Sequence, residues 1–282
     1  MTAIQELIKE IRQLTPMSPV VNQLMEVMDT PGCAMEDIAA IVQYDPAMTA
    51  NILRTCNSAY FGLSNPIESV RDAVSLLGMD QILELVMMKA GTRTLEKPQK
   101  GYDLEQEAVW KSAVAAALIA KELAKKLCPE HRNTIFTAAL LKDIGKTVLD
   151  RFIASSHEKI NTLVREEGYS FMEAEKKVIG IDHAELGAMI IKTWNFSPRM
   201  VKIVRHHHLS DPSMQLDTDI AIVYLSDCIC MMTGMGVGAD GLAYRFHDQV
   251  IKNMGLTSDD IMKILAEFTQ TMEQVEELLQ IV

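Results

Sequence analysis

The residues whose types and spacing could do chemistry lie in the second half of the chain. They are Asp143 within the segment Leu140–Lys146, the isolated His183, the run His206–His208, and Asp227. Histidine and aspartate together suit borderline and hard divalent metal ions, and a carboxylate can bridge two such ions. The set is spread over four predicted helices, as metal sites in the cores of helical proteins are. The sequence therefore raises the hypothesis of a metal centre.

Each of these residues also has a purely structural interpretation. A single histidine on a helix, such as His183, is more often packed in the core or used as a cap than bound to a metal. Three histidines near a helix end, as in His206–His208, interact favourably with the negative end of the helix dipole. Taken singly, the residues favour structural roles, and only their order and context together favour a site.

The elements that must position these residues are helices. Apolar residues recur at helical spacing along nearly the whole chain, and no alternating strand pattern of any length occurs. Asp45 followed by Pro46 predicts a helix that runs to about Tyr60. The chemistry-bearing residues fall on or beside the helices that we predict at 134–150, 183–193, 198–208 and 219–233. The predicted fold class is all-α.

One polar segment divides the chain. The stretch Glu96–Gly101 contains proline and glycine and predicts a boundary between an N-terminal helical lobe, 1–95, and a larger lobe, 96–282. An alanine-rich helix from about Leu104 to Leu127 opens the second lobe. A last helix at about 258–281 either covers the domain or joins a partner helix in a homodimer, and we favour the intramolecular role.

Composition limits the class of protein. With 282 residues, of which 48% are hydrophobic, the chain can bury a substantial core. The formal charge of -11 repels phosphate backbones and anionic lipid, so we expect a protein partner and no nucleic acid. The five cysteines form no disulfide pattern, and residues 1–15 lack the layout of a signal peptide. Asp227 lies inside the apolar stretch Ile220–Ala239, which therefore predicts a buried helix rather than a membrane span, and we expect a cytoplasmic protein.

The N-terminal lobe carries a family resemblance. The segment Tyr44–Gly62 resembles the hallmark run of HDOD domains, and its continuation Ile67–Gly78 does too. The resemblance extends through Trp110, Leu140–Leu149, His183–Ala188 and Trp194–His208, so it covers most of the chain as one module of roughly residues 10–215. It implies a multi-helix bundle of the HD type with an N-terminal helical lobe packed on it, in a bacterial signalling protein.

HDOD domains are similar to the HD and HD-GYP metal-dependent phosphohydrolases, in which a His-Asp pair with further histidines and aspartate holds metal. The resemblance places that pair on Lys142–Asp143 and another histidine ligand on Lys111, so both histidines are lysines here. The retained positions are Asp143, His183, Asp227 and either His207–His208 or His206–His207. No Gly-Tyr-Pro follows the histidines, which argues against cyclic-dinucleotide phosphodiesterase activity of the HD-GYP kind.

Two hypotheses about the site follow. An ammonium group cannot donate a lone pair to a metal, but it can neutralise a buried carboxylate. If Lys111 and Lys142 reach Asp143 and Asp227, the site is a relic held by salt bridges. Alternatively, Asp143, His183, His207 and His208 keep one metal ion, for which iron, manganese, zinc or magnesium are the candidates. We commit to no cofactor.

The leading functional hypothesis is a non-catalytic regulatory or scaffold module that binds a protein partner or a nucleotide-type effector in the groove between the lobes. Asn57 and Tyr60 are candidate groove residues, although helix capping and core packing explain them equally well. The alternative is a metal-dependent phosphohydrolase or phosphodiesterase that uses a single remaining metal site. A third hypothesis is an oligomeric adaptor that assembles through the last helix.

Overall fold

The computed structural model describes residues 6–7, 9–11, 14, 17–28, 30–241 and 247–281, and for residues 93, 248 and 270–281 the backbone alone. All regular structure in these residues is helical, apart from an isolated antiparallel bridge between Gln99 and Leu104, so the predicted fold class is confirmed. The α-helices are α1 (Pro19–Met28), α2 (Met35–Gln43), α3 (Pro46–Cys56), α4 (Val70–Leu77), α5 (Met79–Leu95), α6 (Ala108–Leu127), α7 (Arg132–Leu141), α8 (Lys146–Ser155), α9 (His157–Arg165), α10 (Phe171–Ile179), α11 (His183–Thr193), α12 (Pro198–His206), α13 (Thr218–Met232), α14 (Asp248–Asn253) and α15 (Ser258–Ile281).

The chain forms two compact units. One comprises Met1–Pro16 and Thr94–Leu265, and the other comprises Met17–Arg93 and Ala266–Val282. The boundary between the units near residue 94 lies close to the predicted boundary between lobes 1–95 and 96–282. The chain ends are grouped differently, because residues 1–16 belong to the larger unit and residues 266–282 belong to the smaller one. The side chains of 270–281, on which the predicted partner face of the last helix depends, lie outside the described residues.

The smaller unit is built from short helices. Its core is formed where α2 packs against α1, α3 and α4, with Val21, Leu24, Ile38 and Val42 fully buried. Helix α3 begins as predicted, because the Asp45 carboxylate accepts hydrogen bonds from the backbone N–H groups of Ala47 and Met48 at 3.0 Å each. Helix α2 is short and lies between two proline-containing turns, and no helix is predicted there from the sequence.

Helix α3 ends at Cys56, short of the predicted Tyr60. The side chain of Asn57 explains the difference. Its Nδ2 donates to the carbonyl of Ile67 at 2.8 Å, and its Oδ1 accepts from the N–H of Ile67 at 2.7 Å. Asn57 therefore ends the helix and ties it to the segment that leads into α4.

In the larger unit, α6 packs against α7 and α13, and α11 packs against α12. Helix α13 is buried from Asp219 to Cys230, as the sequence predicted for a core helix. Helix α6 begins at Ala108, after the predicted start at Leu104. Within the described parts of the chain, each helix is either too short or too polar to cross a membrane.

The helix predicted at 134–150 is two helices, α7 and α8, separated by a turn at residues 142–145. Gly145 makes this turn fit, because a Cβ atom added there would lie 2.0 Å from the carbonyl oxygen of His183. Only glycine permits so close an approach of the two backbones. The turn matters because it brings the start of α8 against the start of α11, where the candidate site residues lie.

Candidate functional site

Two adjoining groups of polar side chains lie inside the larger unit, and helix ends, a turn, a loop and the interior of α13 contribute to them. The carboxylate–lysine cluster consists of Lys142, Asp143, Lys146, Asp227 and Asp240. The histidine cluster consists of His183, His207 and His208. Asp143 connects the two, because its Oδ1 lies 3.7 Å from the His183 Nε2.

Lys142 joins two carboxylates in the core. Its side chain is 1% exposed, and its ammonium pairs with Asp143 and with the Oδ1 of Asp227, the latter at 2.6 Å. Burial alone lowers the pKa of Lys142, but the two carboxylates outweigh it and hold the pKa above the ordinary value. Lys142 therefore stays charged at physiological pH and acts as a fixed cation.

Lys146 supplies a second buried ammonium. Its Nζ lies 2.9 Å from the Asp143 Oδ1 and 2.6 Å from the Asp240 Oδ2. Although burial opposes ionisation of Asp143, the two lysines outweigh it and hold the pKa of that carboxyl well below its usual range. Two ammonium groups thus neutralise these carboxylates, a role that metal ions have in a metal-binding protein.

The structure does not bring Lys111 into this cluster, contrary to the expectation from the sequence. Its ammonium pairs with Glu107 at 3.0 Å, one helical turn away, and its side chain is 48% exposed. Lys146 occupies the role expected of Lys111. Its position three residues after Asp143 was the available sequence signal, since residues at this spacing share one side of a helical turn.

The three histidines point their ring nitrogens at one another. One ring nitrogen from each lies within 4.8 Å of the others, and the Nε2 atoms of His183 and His208 are 2.8 Å apart. His206 is not part of this group, so the two neighbouring histidines that join His183 are His207 and His208. The sequence left open whether the pair is His206–His207 or His207–His208, and the structure has the second.

A buried carboxylate orients His183. The Glu175 Oε2 accepts hydrogen bonds from the Nδ1 of His183 at 2.7 Å and from its backbone N–H at 2.9 Å. The Tyr102 hydroxyl donates to the Glu175 Oε1 at 2.6 Å. Burial lowers the pKa of His183, but Glu175 outweighs it and raises the pKa above its ordinary value. A carboxylate behind a histidine is the usual support of a metal-binding imidazole.

Sequence reasoning missed Glu175, Tyr102 and Asp240. Glu175 had a signal, because it lies among the apolar positions of the amphipathic helix α10, where an acidic residue needs a buried partner. Asp240 had none. It is positioned by the preceding loop, in which the N–H of Ala239 donates to the Tyr102 carbonyl at 2.8 Å and a Cβ at Gly238 would lie 2.2 Å from that same oxygen.

His207 tests whether the histidine cluster fits a metal ion. Its Nδ1 donates to the Val204 carbonyl at 2.7 Å, so its Nε2 carries the lone pair. Burial lowers the pKa of His207 to about 3, which keeps the ring neutral. This Nε2 is fully buried and has no hydrogen-bond partner among the described residues. A buried lone pair costs about 1–3 kcal/mol when unsatisfied, and a metal ion would satisfy it.

The two clusters therefore differ in what they can hold. His183, His207 and His208, with Asp143 beside them, fit a single divalent ion. The side that contains Asp143 and Asp227 does not fit a second ion, because the Lys142 ammonium lies between these carboxylates. This geometry is the one that the hypothesis of a single remaining metal site requires.

The two candidate groove residues lie in the smaller unit. Asn57 has the structural role described above, and Tyr60, which is partly buried, packs edge-on against Phe61 with ring centroids 4.8 Å apart. A surface cavity of about 610 Å³ in this unit is lined by residues 63–68 with Asp72, Ser75 and Leu76, so neither candidate faces it. A groove between the lobes stays a prediction.

Comparison with known proteins gives the family. The family model described as "HDOD domain" matches residues 14–210. An uncharacterized protein of Treponema pallidum (strain Nichols) is 23% identical over 187 residues, which are 66% of this chain and 36% of that protein. The chain thus spans about a third of the curated relative that it matches.

Solved structures agree with this assignment at the level of the fold. An HDOD domain protein with unknown function from Geobacter sulfurreducens has a TM-score of 0.76 at 23% identity, covering 99% of this chain and 97% of that chain. A "Putative signal transduction protein" from Marinobacter aquaeolei VT8 has a TM-score of 0.77 at 20% identity, covering 95% and 60%. A "Putative phosphohydrolase" from Shewanella amazonensis SB2B has a TM-score of 0.70 at 22% identity, covering 98% and 97%. Because the family model matches well over half of the residues of this chain, the chain belongs to the HDOD family.

Proposed function

We propose that this chain is a non-catalytic regulatory or scaffold module of bacterial signal transduction. The observation that carries the proposal is the Lys142 ammonium between Asp143 and Asp227. Two-metal phosphoester hydrolysis uses both ions to stabilise the attacking and the leaving oxygen. An ammonium supplies charge to the carboxylates, but it has no vacant coordination position at which water could be activated.

Binding is the activity that remains for such a scaffold. The net charge of -11 favours a protein partner, or a small nucleotide-type effector held by a local positive charge, over a nucleic-acid surface. The similar fold of the Marinobacter aquaeolei VT8 protein, described as a "Putative signal transduction protein", supports this direction. A second copy of this chain is one such partner, and sedimentation of the whole chain against a chain truncated before Ser258 tests it.

The test for absence of catalysis is a phosphatase and phosphodiesterase panel after loading with manganese or iron. We expect the unmodified protein to turn over no substrate faster than its Asp143→Asn variant does. Asp103→Asn is the matched control, because Asp103 is exposed and outside both clusters. Turnover that disappears in Asp143→Asn or His183→Ala but persists in the control would refute the proposal.

The second candidate function is a phosphohydrolase that uses one divalent ion, and it is favoured by the Nε2 of His207, which has no hydrogen-bond partner in the part of the chain that the structure describes. His183, His207, His208 and Asp143 would hold the ion, and Glu175 would orient His183. When bound, such an ion supplies Lewis acidity toward water or a phosphoryl oxygen.

Elemental analysis separates the second candidate from the first. One equivalent of metal that is lost in His207→Ala, together with turnover in the panel, would establish the hydrolase. Metal without turnover would mean that the ion stabilises the fold, which the leading proposal accommodates. Stability of the purified His207→Ala protein by circular dichroism is the necessary check, because His207 is fully buried.

A further inference from the structure

A second group of metal-ligand side chains lies away from both clusters described above. Cys128 follows the last residue of α6, His131 ends the short 3₁₀ helix Pro129–His131, and Asp219 lies in the first turn of α13. One donor atom from each residue lies within 4.8 Å of the others. We call these three residues the thiol–imidazole–carboxylate cluster.

Local backbone structure places the thiol and the imidazole on one side of a single turn. Two residues separate Cys128 from His131, and the His131 N–H donates to the Cys128 carbonyl at 3.0 Å. The Cys128 thiol lies 3.6 Å from the Asp219 Oδ1, and the His131 Nδ1 lies 3.1 Å from that oxygen. Spacings of two to four residues between paired ligands are typical of zinc sites.

Arg199 also reaches this cluster, where it contacts two of the three residues. Its guanidinium pairs with the Asp219 carboxylate and lies 2.8 Å from the Nε2 and 2.6 Å from the Nδ1 of His131. A guanidinium only donates hydrogen bonds, whereas a neutral imidazole accepts at one nitrogen only. His131 therefore donates from Nδ1 to the Asp219 carboxylate and accepts from Arg199 at Nε2, so the guanidinium holds both the carboxylate and the ring lone pair that a metal ion would use.

From this geometry we propose that Cys128, His131 and Asp219 bind one divalent ion of borderline softness, of the zinc class, and that Arg199 is a displaceable counter-cation. Thiolate, imidazole and carboxylate are all zinc ligands, and solvent completes a fourth position. On binding, the ion replaces the thiol proton, which leaves to solvent, and takes the place of the Arg199 guanidinium at the ring nitrogen lone pair.

The exposed fractions of Asp219 and Arg199 support replacement of the guanidinium by a metal ion. The Asp219 side chain is 4% exposed, so its carboxylate always needs a positive partner. The Arg199 side chain is 46% exposed, so its guanidinium can turn into solvent without leaving a buried charge. The ion would tie the connection between α6 and α7 to the start of α13, which gives it a structural role that is independent of the proposed signalling function.

Cobalt(II) is the probe, because a thiolate ligand gives it a near-ultraviolet charge-transfer absorption that histidine and carboxylate ligands do not. The histidine cluster contains no thiol, so this band distinguishes the new site from that cluster. We expect the band to appear at one equivalent in the whole chain, to be lost in Cys128→Ser, and to remain in Cys33→Ser, whose thiol lies in the other unit. No band at saturating cobalt, or a band that survives in Cys128→Ser, would overturn the proposal.

Two further variants keep the test decisive if Cys128→Ser does not fold. His131→Ala, at a partly exposed position, should weaken zinc binding in competition with a chromophoric chelator by at least about tenfold. Arg199→Ala should tighten zinc binding by about fivefold, because the guanidinium no longer competes with the ion for the buried Asp219 carboxylate. If Arg199 served only as a salt-bridge partner, its removal would leave zinc affinity unchanged, and that result counts against the site.

Discussion

Replacing Lys142 by methionine tests the central feature of the structure, which is a buried ammonium that substitutes for a metal. Methionine keeps the unbranched shape of the side chain and removes the charge. The change removes one of the two ammonium groups beside Asp143, leaving that of Lys146, and removes the 2.6 Å contact of Asp227. Removing one partner of a buried ion pair costs about 3–5 kcal/mol. We expect the free energy of unfolding to fall by that amount.

Lys111→Met is the matched control for this prediction. The same substitution there removes an exposed pair with Glu107, four residues away on one helix, which is worth about 0.3–0.5 kcal/mol. Both variants are compared by urea denaturation followed by circular dichroism, in the presence of a chelator so that bound metal does not contribute. The loss of unfolding free energy should be several-fold larger for Lys142→Met than for Lys111→Met.

A double variant separates loss of the ion pair from loss of packing. Asp227→Asn, combined with Lys142→Met, removes the carboxylate whose contact with Lys142 the single variant breaks, so the double variant should recover about 2 kcal/mol relative to the sum of the single effects. The reasoning is refuted if Lys142→Met costs less than about 1 kcal/mol, or if the two substitutions are additive. Either result would mean that the ammonium does not neutralise Asp227.

Two further substitutions test the neighbouring contacts. Tyr102→Phe removes the hydroxyl that donates to buried Glu175 and should lower the unfolding free energy by about 1–3 kcal/mol, whereas Tyr169→Phe, at a partly exposed tyrosine, should change it by less than about 0.5 kcal/mol. Asn57→Ala removes both hydrogen bonds to Ile67 and should lower the melting temperature measured by calorimetry. An unchanged melting temperature would show that Asn57 is free for a binding role.

Much of the fold could be predicted from the sequence because it depends on local interactions. Asp45 before Pro46 fixed the start of α3, and Ser69 fixed the start of α4 through the hydrogen bond from the Asp72 N–H. The helix at 183–193 was predicted with its observed bounds. Helix ends were less predictable, as at Cys56, because the side chain of Asn57 bonds to a residue ten positions later.

The sequence by itself determined the helical class, the family resemblance and the residue types of the candidate site, since periodicity, caps and motifs are written in neighbouring residues. The tertiary structure decided which residues meet. It excluded Lys111, brought in Lys146 and Asp240, chose His207 and His208 over His206, and placed Glu175 behind His183. These outcomes depend on the break at Gly145 and on contacts between helices distant in sequence, where burial makes every unpaired charge costly and so fixes the partners.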